Sequence, residues 1–148
     1  MDTKLCRKFG IEFPLFAFSH CRDVVAEVTK AGGVGVLGAV GQTAESLEED
    51  LHWIDQRTEG MPYGVDLLIP NKIEDKEGVL TEQLLEARIP QSQRRYVESL
   101  IAKYGIDSTD LWSGKYGGNN YSKNLLEGGA NELLDVALEH NISLFVNA

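Results

Sequence analysis

An α/β protein with a parallel sheet is what this 148-residue sequence predicts, and three observations carry the prediction. Apolar runs of strand length alternate with segments of helical period, in the order β-α-β-α-β-(inserted helices)-α-β. Alternation of that kind gives a parallel sheet with helices packed outside it. The strand segments are almost wholly apolar, as expected where both faces of a sheet are covered. Glycines fall where the helical patterns stop. Two architectures fit: a small doubly wound sheet, or the first half (about four strands) of a TIM-type (β/α)8 barrel.

The first strand is expected over residues 13–18, an apolar run after a polar start. Ser19 suits a helix N-cap and Asp23 its first turn. Val24, Val25 and Val28 then repeat at helical spacing up to Lys30, and Gly32-Gly33 stops the helix. Residues 34–40 form the second strand. Thr43 caps the next helix, whose inner face carries Leu47, Leu51 and Ile54. Its outer face, with Glu48, Glu49, Asp50 and Asp55, reads as a solvated surface, and Gly60 ends it. Residues 62–70 form a third strand closed by proline. Asp66 stands out there, because a carboxylate inside an apolar strand must find a partner or face a site.

The rhythm then breaks. Residues 71–89 are charged, with a weak helical pattern at Leu80, Leu84 and Leu85. After Pro90 a clearer helix turns Tyr96, Val97, Leu100, Ile101 and Tyr104 inward and stops at Gly105. Residues 107–129 are polar and rich in Gly and Asn, a flexible loop within the domain. A last helix over 131–140 buries Leu133, Leu134, Ala137 and Leu138, and feeds a strand at 142–148.

Composition bounds the function. Apolar content of 43% and charged content of 25% are ordinary for a soluble domain. A net charge of −9 argues against nucleic acid or an anionic membrane as partner. No apolar run approaches the roughly 20 residues of a membrane span, and the start lacks the apolar core of a signal peptide. Cys6 and Cys21 form no C-x-x-C pattern and read as reduced thiols of a cytoplasmic protein. The glycosylation matches at Asn120 and Asn141 carry no weight without secretion.

Gly33, Gly35 and Gly38 spell a literal G-x-G-x-x-G. A dinucleotide fingerprint needs a strand before these glycines and a helix opening inside them. Here Val34, Val36 and Leu37 lie between them, so the motif contains the strand. Gly35 and Gly38 instead let neighbouring layers, and a ligand, approach the second strand closely.

Four segments in register then resemble a known family: Phe9-Gly10-Ile11-Glu12-Phe13-Pro14, Ala17-Phe18-Ser19-His20-Cys21-Arg22-Asp23, Ala31 to Ala39, and Pro62-Tyr63-Gly64-Val65-Asp66. Together they resemble the N-terminal part of the nitronate monooxygenases, formerly 2-nitropropane dioxygenases. The resemblance implies an FMN-dependent (β/α)8 barrel that oxidises alkyl nitronates with dioxygen to a carbonyl compound and nitrite. Active sites of such barrels lie at the C-terminal ends of the strands. Those ends carry Ala17, Phe18, Ser19, Gly38, Asp66 and Asn147, the expected cofactor-binding residues. Where the family has Ala-Pro-Met after the first strand this chain has Ala17-Phe18-Ser19. Where the third strand of the family ends in a flavin-touching Asn, this chain has Asp66.

A barrel of this type runs to about 250 residues, and the family's Gly-Gly-His segment with its catalytic histidine does not occur here. The chain is therefore expected to be an N-terminal fragment, residues 1–148, with little activity alone. His20 is the one candidate for a catalytic contact, and a capping role competes with it. His140 suits a helix C-terminus. His20 beside Cys21 has no further spaced ligands, so no metal site is expected. Open sheet edges favour self-association. A non-catalytic half-barrel, or a flavodoxin-like binding module that self-associates, is the alternative to the enzyme.

Overall fold

The computed structural model describes residues 2–69, 87–107, 124 and 127–147. Its core is a four-stranded parallel sheet in the order β1-β2-β3-β4, formed by β1 (Phe16–Ser19), β2 (Val34–Gly38), β3 (Tyr63–Asp66) and β4 (Ile142–Val146). Among the described residues, the helices with defined bounds are α1 (Lys4–Phe9), α2 (Arg22–Lys30), α3 (Ala44–Thr58), α4 (Gln91–Tyr104) and α5 (Glu127–Leu138). Strands follow one another across the sheet in chain order, and α2, α3 and α5 share one face of it. A doubly wound sheet reverses its strand order and puts helices on both faces. Among the described residues the sheet keeps chain order, with α2, α3 and α5 on one face and only the short α1 packed on the other, so the arrangement is half-barrel-like and not doubly wound.

On the helix side Val25, Leu37, Leu47, Leu51, Ile54, Tyr63, Val65, Leu133 and Ala137 form one buried cluster. The helical period of Leu47, Leu51 and Ile54 supplies the α3 stripe as the spacing predicts. On the opposite face a smaller cluster joins Cys6 and Ile11 to Val34 and Val36, with Phe9, Leu144 and Val146 packed against it. That second cluster depends on α1, which the polar opening of the chain did not advertise. Thr3 caps α1 by accepting from the Cys6 amide at 3.1 Å, and Gly10 ends it at φ 68°.

Local chemistry explains the boundaries. Helix α2 closes in a Schellman turn, with the Gly33 amide donating to Val28 O (3.1 Å) and Gly32 to Thr29 O (3.0 Å). Gly32 takes φ 93° there, the conformation its lack of Cβ permits. Thr43 and Ser46 form a reciprocal capping box at the start of α3. That helix ends at Thr58, two residues before the expected glycine, with Glu59 as its left-handed cap at φ 51°.

Several expectations are corrected. Ser19 ends β1 and does not cap α2; Cys21 is the N-cap residue, and Ser19 Oγ accepts from the Cys21 amide at 3.0 Å. The first strand is not buried, since it is an edge with Phe16 and Phe18 40% and 55% exposed. Strand β4, the other edge, alternates half-buried and exposed for the same reason. Val24 and Leu138 point outward. Helix α4 begins and ends where Pro90 and Gly105 indicate, yet Tyr96, Val97 and Tyr104 are exposed and none of its residues is buried. Helix α5 starts at Glu127, four residues early. The pattern at Leu80, Leu84 and Leu85, and most of the loop expected over 107–129, lie outside the described residues. Within that stretch Asn124 is buried, and its amide donates to Val40 O (2.8 Å) and Gln42 O (2.7 Å).

The outer face of α3 is not simply solvated. His140, 7% exposed at the side chain, is held by Asp55 Oδ2 at its Nδ1 (2.6 Å) and by Glu48 Oε2 at its Nε2 (2.9 Å). Tyr63 donates to Asp55 Oδ1 at 2.7 Å, and burial together with that carboxylate pushes its hydroxyl pKa up. Burial opposes charge on His140, but the hydrogen bonds and charges of Asp55 and Glu48 outweigh it and raise its pKa above 6.5. A dipole at a helix end is therefore not what holds this ring. Because the folded pKa is the higher one, the clamp stabilises fully below about pH 6.5 and fades as pH rises through the raised value. His140→Gln is expected to cost about 2 kcal/mol in acid. The difference in melting temperature between the two proteins is expected to shrink from about pH 6 to about pH 9.

Candidate functional site

Among the described residues, the face of the sheet turned away from α2, α3 and α5 is covered at one end and uncovered at the other. Strand register dictates what it displays, because paired residues of parallel strands point the same way. Phe16 pairs with Val34, Phe18 with Val36, Gly38 with Asp66, and Asp66 with Val146. Cys6, Phe9 and Ile11 fill the end where the strands begin, with the Phe9 ring edge-on to Phe16 at 5.4 Å. At the end where the strands finish, Phe18, His20, Gly38, Asp66 and Val146 are left around an opening.

Gly38 makes this corner what it is. A Cβ there would lie 2.6 Å from both His20 Nδ1 and Phe18 Cζ. Both rings therefore lean over the strand end, edge to face at 4.9 Å from one another. His20 Nδ1 is 3.1 Å from Gly38 O. A carbonyl only accepts, so in the neutral ring Nδ1 carries the hydrogen and Nε2 is the basic nitrogen.

Asp66 completes the group. Its Oδ1 is buried with no hydrogen-bond partner among the described residues. Burial pushes its carboxyl pKa up, and the nearby His20 charge pulls it part of the way back. An acceptor left in that condition at a strand end is a place for an incoming donor.

The remaining expected site residues stand elsewhere. Ala17 and Ser19 pair with Gly35 and Leu37, which puts their side chains on the helix side, so only their backbone borders the opening. Asn147 spends its amide on the neighbouring loop, accepting from Ile69 N (2.9 Å) and donating to Ile69 O (3.3 Å). That clip holds the segments after β3 and β4 together at the rim. Val146 is the lining residue the sequence reading passed over. Strand parity was the signal available for it, since 144 and 146 fall on one face. Among the described residues no cluster of three or more His, Cys, Asp or Glu could hold a metal ion, and no helix is long and apolar enough to cross a membrane.

No family model matches the chain. Comparison with individual proteins is more informative. All of the chain aligns at 44% identity with a Mycobacterium tuberculosis protein provisionally named as a monooxygenase, Rv1533, of which it covers 39%. About half of the chain, 48%, aligns at 28% identity with 21% of a Staphylococcus saprophyticus protein provisionally named as a nitronate monooxygenase. A similarly named Staphylococcus haemolyticus protein aligns at 30% identity over 47% of the chain and 20% of its own length. The chain thus spans about two fifths of the mycobacterial relative. The chain is similar over its whole length to a protein named as a monooxygenase, and over about half its length to two named as nitronate monooxygenases.

Proposed function

We propose that this chain is the flavin-facing N-terminal half of a nitronate monooxygenase-like oxidoreductase of the cytoplasm. The whole enzyme would use FMN and dioxygen to oxidise alkyl nitronates to a carbonyl compound and nitrite. The observation that carries the reading is the one-ended sheet: α1 plugs the start of the strands, and Phe18, His20, Gly38 and Asp66 converge where they finish. Barrel enzymes do their chemistry at that end.

The residues present fit FMN on two counts. Asp66 Oδ1 lacks a donor that a flavin imide N–H would provide. The Phe18 and His20 rings give a part-apolar wall for a planar ligand, with Gly38 admitting them. When bound, FMN supplies the electron-accepting ring. Phe18 then orients and shields that ring, and His20, fixed through the Gly38 carbonyl, can hold a proton at Nε2. Four strands make half of an eight-stranded ring, so this chain alone is expected to turn over little nitronate. With FMN and propyl nitronate added to residues 1–148, oxygen uptake is expected to stay near the rate without protein. Robust uptake would contradict the half-site reading.

A second reading, a half-barrel that self-associates without catalysis, draws on the two sheet edges. Leu15, Phe16, Phe18 and Phe145 are exposed on or beside them, and bare edges invite pairing. A concentration-independent monomer in sedimentation counts against it.

A further inference from the structure

We infer that Asp66 is the specificity-determining residue of the strand-end opening: its unpartnered carboxyl oxygen accepts a ring N–H, and its charge disfavours a ring that is itself negative. The inference rests on the FMN reading and goes further, because it fixes which form of the cofactor this chain prefers.

Register puts the Asp66 carboxyl in the middle of the open face, between Gly38 of β2 and Val146 of β4. Around it Phe18, Val36 and Val146 are apolar and Gly38 brings no side chain. His20 Nδ1 is already committed to Gly38 O. No described side chain therefore supplies the donor that Oδ1 lacks. A polar atom left so in a packed surface marks a partner yet to come. The partner has to be a donor, which selects an imide or amide N–H over a bare carbonyl or carboxylate.

Charge sharpens the selection. Burial raises the Asp66 pKa, and among the described residues His20 is the group that offsets its negative charge. A second negative charge brought to the opening would meet the carboxylate where water screens it poorly. Oxidised FMN has a neutral ring with an imide N–H. The two-electron-reduced ring becomes an anion above neutral pH. Asp66 therefore favours the oxidised ring and weakens the hold on the reduced anion.

The test is an anaerobic titration at about pH 8 of the full chain and of its Asp66→Asn variant, first with oxidised FMN and then with dithionite-reduced FMN. The substitution keeps the shape of the side chain and removes its charge. We expect oxidised FMN to bind the native chain about tenfold more tightly than reduced FMN, and the variant to lose that preference. Tenfold corresponds to a midpoint potential about 30 mV lower for the bound two-electron couple. Equal preferences in the two proteins would overturn the role of Asp66 and leave FMN binding intact. Absence of binding of either form, by proteins that circular dichroism shows to be folded, would overturn the FMN reading and this inference together.

Discussion

Gly35→Ala is expected to destabilise the chain by about 3 kcal/mol. A methyl group on Gly35 would stand 2.3 Å from Val25 O and 2.8 Å from both Val25 C and Cα. Those atoms are helix backbone, so no rotamer change relieves the clash; α2 as a whole must lift off β2. It is poorly free to do so. Thr29 Oγ1 of α2 accepts from the Gly35 amide at 3.2 Å, and the Gly32-Gly33 turn ties the helix end to the start of the strand. Gly35 has no unusual φ, so the penalty is one of space alone. Domains of this size hold only about 5–15 kcal/mol in all. Urea unfolding would register the change as a lower midpoint, and a shift worth less than about 0.5 kcal/mol would show that α2 is not pinned.

Leu37→Ala is expected to cost about as much, near 3 kcal/mol, by the opposite route of leaving a hole. Leu37 is 0% exposed and belongs to the helix-side cluster with Val25, Leu47, Leu51 and Val65. Its strand is paired on both sides, to β1 and to β3, which restrains the collapse that would fill the gap. The chain supplies its own control. Leu138 is 62% exposed, and truncating it should change stability by no more than about 0.5 kcal/mol. Equal losses at the two positions would mean that the helix-side cluster is not the core.

The contrast between these residues marks what could be read from the sequence. Period and punctuation located β2, α3 and the Schellman turn, because each is decided by contacts within a few residues. Sequence could not reveal that β1 is an edge. Its run of Phe and Leu looks like a doubly covered strand, and only the topology says which strands stand outside. The same gap misled the reading of α4, whose apolar stripe at Tyr96, Val97 and Tyr104 predicts burial but does not name a partner. Helix α1 hid behind short length, with six residues and one buried side chain.

At the candidate site, the strand ends were legible and the orientations were not. Phe18, Gly38 and Asp66 do meet at the opening, with His20 beside them. Ala17 and Ser19 differ from Phe18 only in parity, and parity follows from a register that no motif spells out. Asn147 lies at the right end of its strand, yet its amide is taken by Ile69. The Glu48–His140–Asp55 clamp joins residues 85 and 92 positions apart, well beyond helical spacing, so sequence gave no sign of it.

The pairing of β4 with β3 has a kinetic side. Strands β1, β2 and β3 and their two helices can assemble from the first 69 residues. The Asn147–Ile69 clip closes only across 78 positions, and the Asn124 contacts with Val40 and Gln42 across more than 80. Contacts that distant slow folding. Until they form, β3 carries a bare parallel edge, the kind of surface on which chains join one another. Temperature and concentration during refolding should therefore govern the yield of this protein more strongly than the stability of its finished sheet.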